Sequence, residues 1–283
     1  MKRLLLCMLS LCAVACKSQE PTPLSEVVIQ IDADPQVQRA GDTLIVEISS
    51  GASASELTAS DPETFDLARD GARLFVSNED VDSASFVDVA SGRIARTVPV
   101  GREPEGVRLH PDGRTVWVTG ETDHDVTVLD TETGAEIARI PVGRRPRDLV
   151  FARDGSRAYV SAEVDGTVTV VDARTHAPLR TITMPEGARP MGLALTEDGT
   201  RLWVANGRAR TVSLVDLETD SVLASVESGV RPWGIALTDD GRKLYAANGP
   251  SGDVSVIDTE RLVVLRRIPT GELPWGVAIA PAP

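Results

Sequence analysis

The sequence predicts an all-β ring of small four-stranded sheets, a β-propeller, on three sets of recurring residues. Asp-Gly pairs stand at Asp70-Gly71, Asp112-Gly113, Asp154-Gly155, Asp198-Gly199 and Asp240-Gly241, spaced 42, 42, 44 and 42 residues apart. An apolar residue followed by Asp recurs at the same spacings, ending at Asp88, Asp130, Asp172, Asp216 and Asp258. Prolines fall in the same register at Pro62, Pro104, Pro146, Pro190, Pro232 and Pro274. A period of this length built from short strands and turn signals is that of a propeller blade.

The unit beginning at Pro190 shows how each element is read. Strand A is Gly192 to Thr196, and Asp198-Gly199 closes a tight hairpin because Gly accepts the positive φ such turns need. Strand B is Arg201 to Ala205, and Asn206-Gly207 opens a loop. Strand C is Thr211 to Val215, a turn spans Asp216 to Asp220, and strand D is Val222 to Val226. Strand B carries an aromatic in every unit, at Phe75, Trp117, Tyr159, Trp203 and Tyr245. A large side chain at one repeated position reads as filler between neighbouring sheets. The Asp after each strand C reads as a turn residue that accepts backbone N–H groups.

Pro62 to Leu273 holds five complete units, after which Pro274 to Ile279 supplies a strand A alone. An open sheet edge needs a partner. Val27 to Ile31 suits a strand B, Leu44 to Ile48 a strand C and Ser53 to Thr58 a weak strand D. Residues 26–61 with 274–283 are therefore expected to form one composite blade that closes the ring, six blades in all.

The N-terminal segment reads as an address. Lys2 and Arg3 precede an apolar run from Leu4 to Val14, too short to span a bilayer. Ala13-Val14-Ala15-Cys16 resembles a bacterial lipobox, with Ala13 where Leu is usual. The expected organisation is a signal peptide at 1–15, a lipidated tether at 16–25 headed by acylated Cys16, and a propeller at 26–283; the alternative is ordinary signal cleavage at the same bond with Cys16 left as a free thiol. Such a protein is exported and held by lipid to a membrane facing the periplasm or the cell exterior. The three cysteines are Cys7, Cys12 and Cys16, so the rest of the chain has neither a disulfide framework nor a thiolate metal site. With 29 basic and 42 acidic residues the net charge is −13, and losing Lys2 and Arg3 makes it −15. That balance argues against nucleic-acid binding.

Leu202-Trp-Val-Ala-Asn206, Leu244-Tyr-Ala-Ala-Asn248 and Asp253-Val-Ser-Val-Ile-Asp258 resemble the YVTN-type (YncE-like) β-propeller repeat. Asn248 to Asp258 followed by Leu273-Pro-Trp-Gly-Val277 is similar to periplasmic propellers associated with pyrroloquinoline-quinone-dependent catabolism. The resemblance covers about residues 60–280. It implies seven blades, where the chain's own repeats count six. It also implies that strand A lines a central channel and that the D–A and B–C loops share the ligand-binding face.

On that face the residues flanking each proline form a polarised ring. Before the prolines stand Asp61, Glu103, Arg145, Arg189, Arg231 and Leu273, and after them Glu63, Glu105, Arg147, Met191, Trp233 and Trp275; the candidate ligand-binding members are Glu103, Glu105, Arg145, Arg147, Arg189, Arg231, Trp233 and Trp275. Arginines beside flat indoles suit a small anionic ligand with an apolar body. The B–C loops add Glu79, Asp80, Asp82, Glu121, Asp123, Asp125, Glu163 and Asp165, with Arg208 and Arg210 in a later blade; these acids read as solvated rather than calcium-binding. Asp66 and Arg108, at the middle of adjacent A strands, are expected to pair. His110, His124 and His176 are not expected to cluster. No catalytic motif, metal site or cofactor site is legible. The favoured reading is a monomeric, non-enzymatic envelope module that binds a small anionic ligand or an envelope protein, in the service of a periplasmic oxidation system. A lactonase-like hydrolase and a surface interaction or adhesion scaffold are the alternatives.

Overall fold

The computed structural model describes residues 62–279 and two short strands nearer the N-terminus, β1 (Gln30–Ile31) and β2 (Val46–Glu47). Blade I comprises β3 (Pro62–Leu67), β4 (Arg73–Asn78), β5 (Ser83–Asp88) and β6 (Arg93–Pro99). Blade II comprises β7 (Pro104–Leu109), β8 (Thr115–Gly120), β9 (Asp125–Asp130) and β10 (Glu136–Pro141). Blade III comprises β11 (Pro146–Phe151), β12 (Arg157–Ala162), β13 (Thr167–Asp172) and β14 (Ala177–Thr183). Blade IV comprises β15 (Pro190–Leu195), β16 (Arg201–Asn206), β17 (Thr211–Asp216) and β18 (Ser221–Glu227). Blade V comprises β19 (Pro232–Leu237), β20 (Lys243–Asn248), β21 (Asp253–Asp258) and β22 (Val263–Pro269). Each blade is one antiparallel sheet in sequence order. The fold is an all-β propeller.

The repeated residues act as their chemistry requires. Gly71, Gly113, Gly155, Gly199 and Gly241 all have φ between 68° and 77°, and each amide closes a turn onto the carbonyl three residues earlier. The Asp after each strand C accepts backbone N–H groups of its turn, as Asp130 does from Glu132 at 3.0 Å and Thr133 at 2.7 Å. These Asp residues are scaffold.

The five strand-B aromatics are almost fully buried, and each packs into the following blade. Phe75 meets Val107, Val116 and Val118 of blade II, and Trp117 meets Leu149, Ala158 and Val160 of blade III. Tyr159 meets Leu193, Leu202 and Val204 of blade IV, and Trp203 meets Ile235, Leu244 and Ala246 of blade V. Tyr245 packs with Val277 and Ile279, so the chain after Pro274 continues the pattern beyond blade V.

The innermost strands β3, β7, β11, β15 and β19 lie side by side around the centre. Side chains and backbone stitch them together. Thr64 Oγ1 donates to the Glu105 carbonyl at 2.6 Å, Leu193 N donates to Asp148 Oδ2 at 3.0 Å, and Gly234 N donates to the Trp275 carbonyl at 3.0 Å. The expected Asp66–Arg108 pair does not form. Asp66 instead accepts the amides of Leu67 at 2.9 Å and Leu109 at 2.7 Å, and Arg108 reaches forward to Asp148 at 3.0 Å. Asp66 is used up tying blade I to blade II, which leaves Asp148 as the acid within reach of Arg108.

β1 and β2 pair antiparallel, Gln30 with Glu47 and Ile31 with Val46, inside the segments expected to be strands B and C of the closing blade. The expected strand A at 274–279 packs against blade V through Val277 and Ile279 but forms no regular strand beyond a single bridge at Ala278; the remainder of that blade, strand D at 53–58 included, lies outside the described residues, as do the expected signal peptide, tether and Cys16. No helix among the described residues is long and apolar enough to cross a membrane.

Candidate functional site

The D–A and B–C loops share one face because backbone hydrogen bonds tie them. Glu121 N donates to the Glu103 carbonyl at 3.0 Å, Glu163 N to the Arg145 carbonyl at 2.9 Å and Gly207 N to the Arg189 carbonyl at 2.9 Å. Each accepting carbonyl belongs to the residue before the blade's proline. Those residues, Glu103, Arg145, Arg189, Arg231 and Leu273, all have φ between 50° and 60°. The same loop is pinned again one residue earlier. Arg102 N donates to Asp123 at 2.9 Å, Arg144 N to Asp165 at 2.7 Å and Val230 N to Ser251 at 2.7 Å. The mouth is thus a rigid ring of short loops.

Two positions of the repeat meet there: the residue after the proline, and the residue just past strand B. Met191 packs on Gly207 in blade IV and Trp233 on Gly249 in blade V, while Glu105 and Glu121 of blade II share Arg147 of blade III, and Glu163 of blade III joins through Arg145. Blades II and III therefore build a charged sector, and blades IV and V an apolar one.

In the charged sector Glu105 and Arg147 are buried, at 3% and 7% exposure. Arg147 Nη1 lies 2.5 Å from Glu105 Oε1 and also contacts Glu121 Oε2. Arg145 Nε lies 2.6 Å from Glu121 Oε1 and 3.3 Å from Glu163 Oε2. The backbone makes this packing possible. A Cβ at Gly106 would stand 2.7 Å from the Arg147 carbonyl oxygen, so only glycine lets blade III come this close. Burial pushes Glu105 up to about 9, with the negative charges of Glu63 and Glu121 adding to the effect and Arg147 opposing it. Burial alone would raise Glu121 too, but its hydrogen bonds to Glu105 and Arg145 and the charge of Arg147 hold it below the usual carboxylate range. Glu103 sits at the rim, exposed, and accepts the Thr122 hydroxyl.

In the apolar sector the Trp233 and Trp275 rings meet at 4.4 Å between centroids. Arg231 lays its guanidinium 5.6 Å from the Trp233 ring centre. Its stem passes over Gly207, where a Cβ would stand 3.5 Å from Arg231 Cγ and 3.1 Å from Met191 Cγ. Trp233 covers Gly249 so closely that any side chain there would collide with the indole. Arg189 donates at 3.5 Å to the Glu163 carbonyl, and Arg208 and Arg210 project into solvent. None of Arg189, Arg208, Arg210 and Arg231 has a carboxylate partner among the described residues. Two buried polar atoms in this sector, Trp233 Nε1 and Asn206 Oδ1, also lack a hydrogen-bond partner among the described residues.

The structure thus divides the sequence-predicted ring. Glu105, Arg145 and Arg147 come together in one cluster, where Glu121 and Glu163 supply the further acids that the two arginines pair with, while Arg189, Arg231, Trp233 and Trp275 remain on the open side. Glu121 and Glu163, expected to be solvated loop acids, are half-buried or buried members of the charged sector. Their position in the repeat, one past strand B where blades IV and V have glycine, was the available signal. His110 and His176 also lie closer than expected. Both flank the Trp117–Phe151 contact on the opposite face, and burial together with His110 holds His176 below its usual value. Among the described residues no group of His, Cys, Asp and Glu could hold a metal ion.

Fold and mouth define a β-propeller with one sealed ionic sector and one open cationic, aromatic sector. Over residues 131–261, just under half of the chain, the sequence matches the family model described as Lactonase, 7-bladed beta-propeller. No curated protein matches it significantly. Solved structures share the fold. A protein of unknown function from Desulfotomaculum acetoxidans DSM 771 is 14% identical with a TM-score of 0.69, covering 86% of each chain. A proposed 6-phosphogluconolactonase from Bacteroides fragilis NCTC 9343 is 17% identical with a TM-score of 0.66, over 76% of this chain and 72% of that one. Kuenenia stuttgartiensis hydrazine synthase is 20% identical with a TM-score of 0.59, over 76% of this chain and 88% of that one.

Proposed function

We propose that this propeller binds a small anionic molecule with a flat or apolar body at the mouth of blades IV and V. One observation carries this reading. Arg189, Arg208, Arg210 and Arg231 have no carboxylate partner among the described residues of a chain whose net charge is −13, and Arg231 lies over a paired-indole surface. The buried Trp233 Nε1 and Asn206 Oδ1 support it, since each is a polar atom waiting for a partner. The test is titration of tryptophan fluorescence with a panel of small carboxylates and phosphates. Saturable quenching is expected, with Arg231→Ala and Arg189→Ala each weakening binding about 10-fold or more, as loss of a charge-assisted hydrogen bond does. Binding that is absent, or unchanged in both variants, overturns the reading.

A second reading, hydrolysis of a lactone, is favoured by the Lactonase family match over residues 131–261 and by the fold shared with the B. fragilis protein. A pH-stat assay of ring opening decides it. The proposal includes the setting. The protein is exported and anchored through Cys16, acts as a monomer, and serves an envelope partner or a periplasmic oxidation system. Incorporation of labelled palmitate, lost in Cys16→Ser, tests the anchor.

A further inference from the structure

Blade III lacks a side-chain clip that three other blades share. Where strand B ends, blades I, IV and V carry Asn78, Asn206 and Asn248. Each turns its Nδ2 onto two side chains of strand C. Asn78 donates to Ser83 Oγ at 3.2 Å and Ser85 Oγ at 3.0 Å, and Asn206 to Thr211 Oγ1 at 3.1 Å and Ser213 Oγ at 2.7 Å. Asn248 donates to Asp253 Oδ1 at 2.6 Å and Ser255 Oγ at 2.9 Å. Blade II has Gly120 at this position and replaces the clip: Gly101 N donates to Thr127 Oγ1 at 3.2 Å, and Arg139 reaches Asp125 at 3.3 Å. Blade III has Ala162 and replaces nothing. The clip would hold the hydroxyls of Thr167 and Thr169. These two, and that of Thr181 opposite Thr169, have no hydrogen-bond partner among the described residues.

The neighbours Val168 and Ile182 point into the core shared with blade IV, so by strand alternation the three threonines point back towards blade II. There they line a groove of about 470 Å³ together with the connection from blade II to blade III. Pro141, Val142 and Pro178 give it apolar walls. Asp165, its one charged wall residue, is already held by Arg144 through Nε at 2.6 Å and backbone N at 2.7 Å. The groove thus offers hydroxyls, which both donate and accept, beside apolar surface and without a spare charge. Thr169 is 4% exposed, so a partner for its hydroxyl has to come from within the groove. An anion finds no cation there, and a wholly apolar body leaves the hydroxyls dry. A neutral ring with hydroxyls at its edge and C–H groups on its face satisfies both.

We propose that this groove between blades II and III is a second binding site, one that takes a neutral sugar ring. The sugar hydroxyls pair with Thr167, Thr169 and Thr181, and its C–H face lies on the prolines. Alanine at 162 is what frees the site, since an asparagine there would hold the threonine hydroxyls as it does in the other blades. The site is separate from the mouth of blades IV and V and stands whether or not an anion binds there.

The experiment titrates the full chain with glucose, N-acetylglucosamine, cellobiose and chitobiose, read by saturation-transfer NMR and calorimetry. Wild type is expected to bind at least one of them saturably at millimolar concentrations. Ala162→Asn restores a clip that blades I, IV and V already carry. It is expected to weaken binding about 10-fold or more, as the loss of two hydrogen bonds does, while the chain still melts cooperatively. Thr169→Val removes one hydroxyl at nearly constant shape and weakens binding about fivefold. Neither variant changes the tryptophan titration at the mouth, so failure of the one site is distinguishable from failure of the other. Equal affinity for one ring and two marks a free sugar as the ligand, and a gain with length marks a glycan chain. No saturable binding of any of these sugars overturns the proposal, as does binding that both variants leave within about twofold of wild type. Should Ala162→Asn not fold, Thr169→Val alone decides.

Discussion

Glu105 keeps at neutral pH a proton that the unfolded chain releases in the acid range. Its folded value, pushed up to about 9, lies above that of a free glutamate. The native state therefore binds more protons than the unfolded state between these two values, and stability falls as pH rises through that window. The contribution of Glu105 is fully present below the ordinary glutamate range and is gone above about 9. Glu105→Gln, which cannot ionise, is expected to flatten this alkaline slope; unfolding midpoints in urea from pH 6 to 10 check it. Other residues matter through volume. Trp203 is 2% exposed and fills the seam between blades IV and V, so Trp203→Ala is expected to cost about 3–5 kcal/mol in urea unfolding. The roles of the turn aspartates and the strand-B aromatics were legible in the sequence because each recurs and serves a local need. The partner of Arg108 was not, since Asp148 occurs in one blade only and its selection depends on which acid the backbone has already claimed.

At the scale of elements, the strand boundaries read from turn residues in the unit beginning at Pro190 agree with the structure to within about two residues, whereas the strand A expected at 274–279 is only an isolated bridge. Strand A, expected from Gly192, begins at Pro190, because the proline already pairs with Asn206 across a bulge. That bulge recurs in every blade, between the proline and the residue three further on. It swings the residue after the proline into the mouth, which periodicity alone could not reveal. Glycine at the next position serves a close approach. A Cβ at Gly192 would stand 2.4 Å from the Trp233 carbonyl oxygen, and backbone cannot move aside cheaply. Gly192→Ala is expected to destabilise by roughly 1–3 kcal/mol in urea unfolding. It should also disturb the mouth, lowering affinity in the fluorescence titration although residue 192 touches no ligand.

Across the whole molecule, the ring was legible because period is a global property, whereas the division of its mouth was not. Sequence order places four arginines around the mouth but does not say which meet acids. Only three-dimensional packing shows Arg145 and Arg147 neutralised and Arg189 and Arg231 free of carboxylates among the described residues. Closure carries its own prediction. Val277 and Ile279 pack on Tyr245, and the Trp275 carbonyl accepts Gly234 N. Truncation after Leu273 exposes that cluster, so a broadened, lower-temperature melt is expected in calorimetry.

The left-handed residue before each proline has a consequence for how such a mouth changes over time. Glu103, Arg145, Arg189, Arg231 and Leu273 occupy a backbone region that glycine would fill with less strain. The scaffold thus tolerates loss of these side chains more easily than their presence, and each survives against a standing local preference for deletion. Drift at these sites runs downhill towards a blank mouth, so a propeller relieved of its ligand would lose its specificity long before it lost its shape.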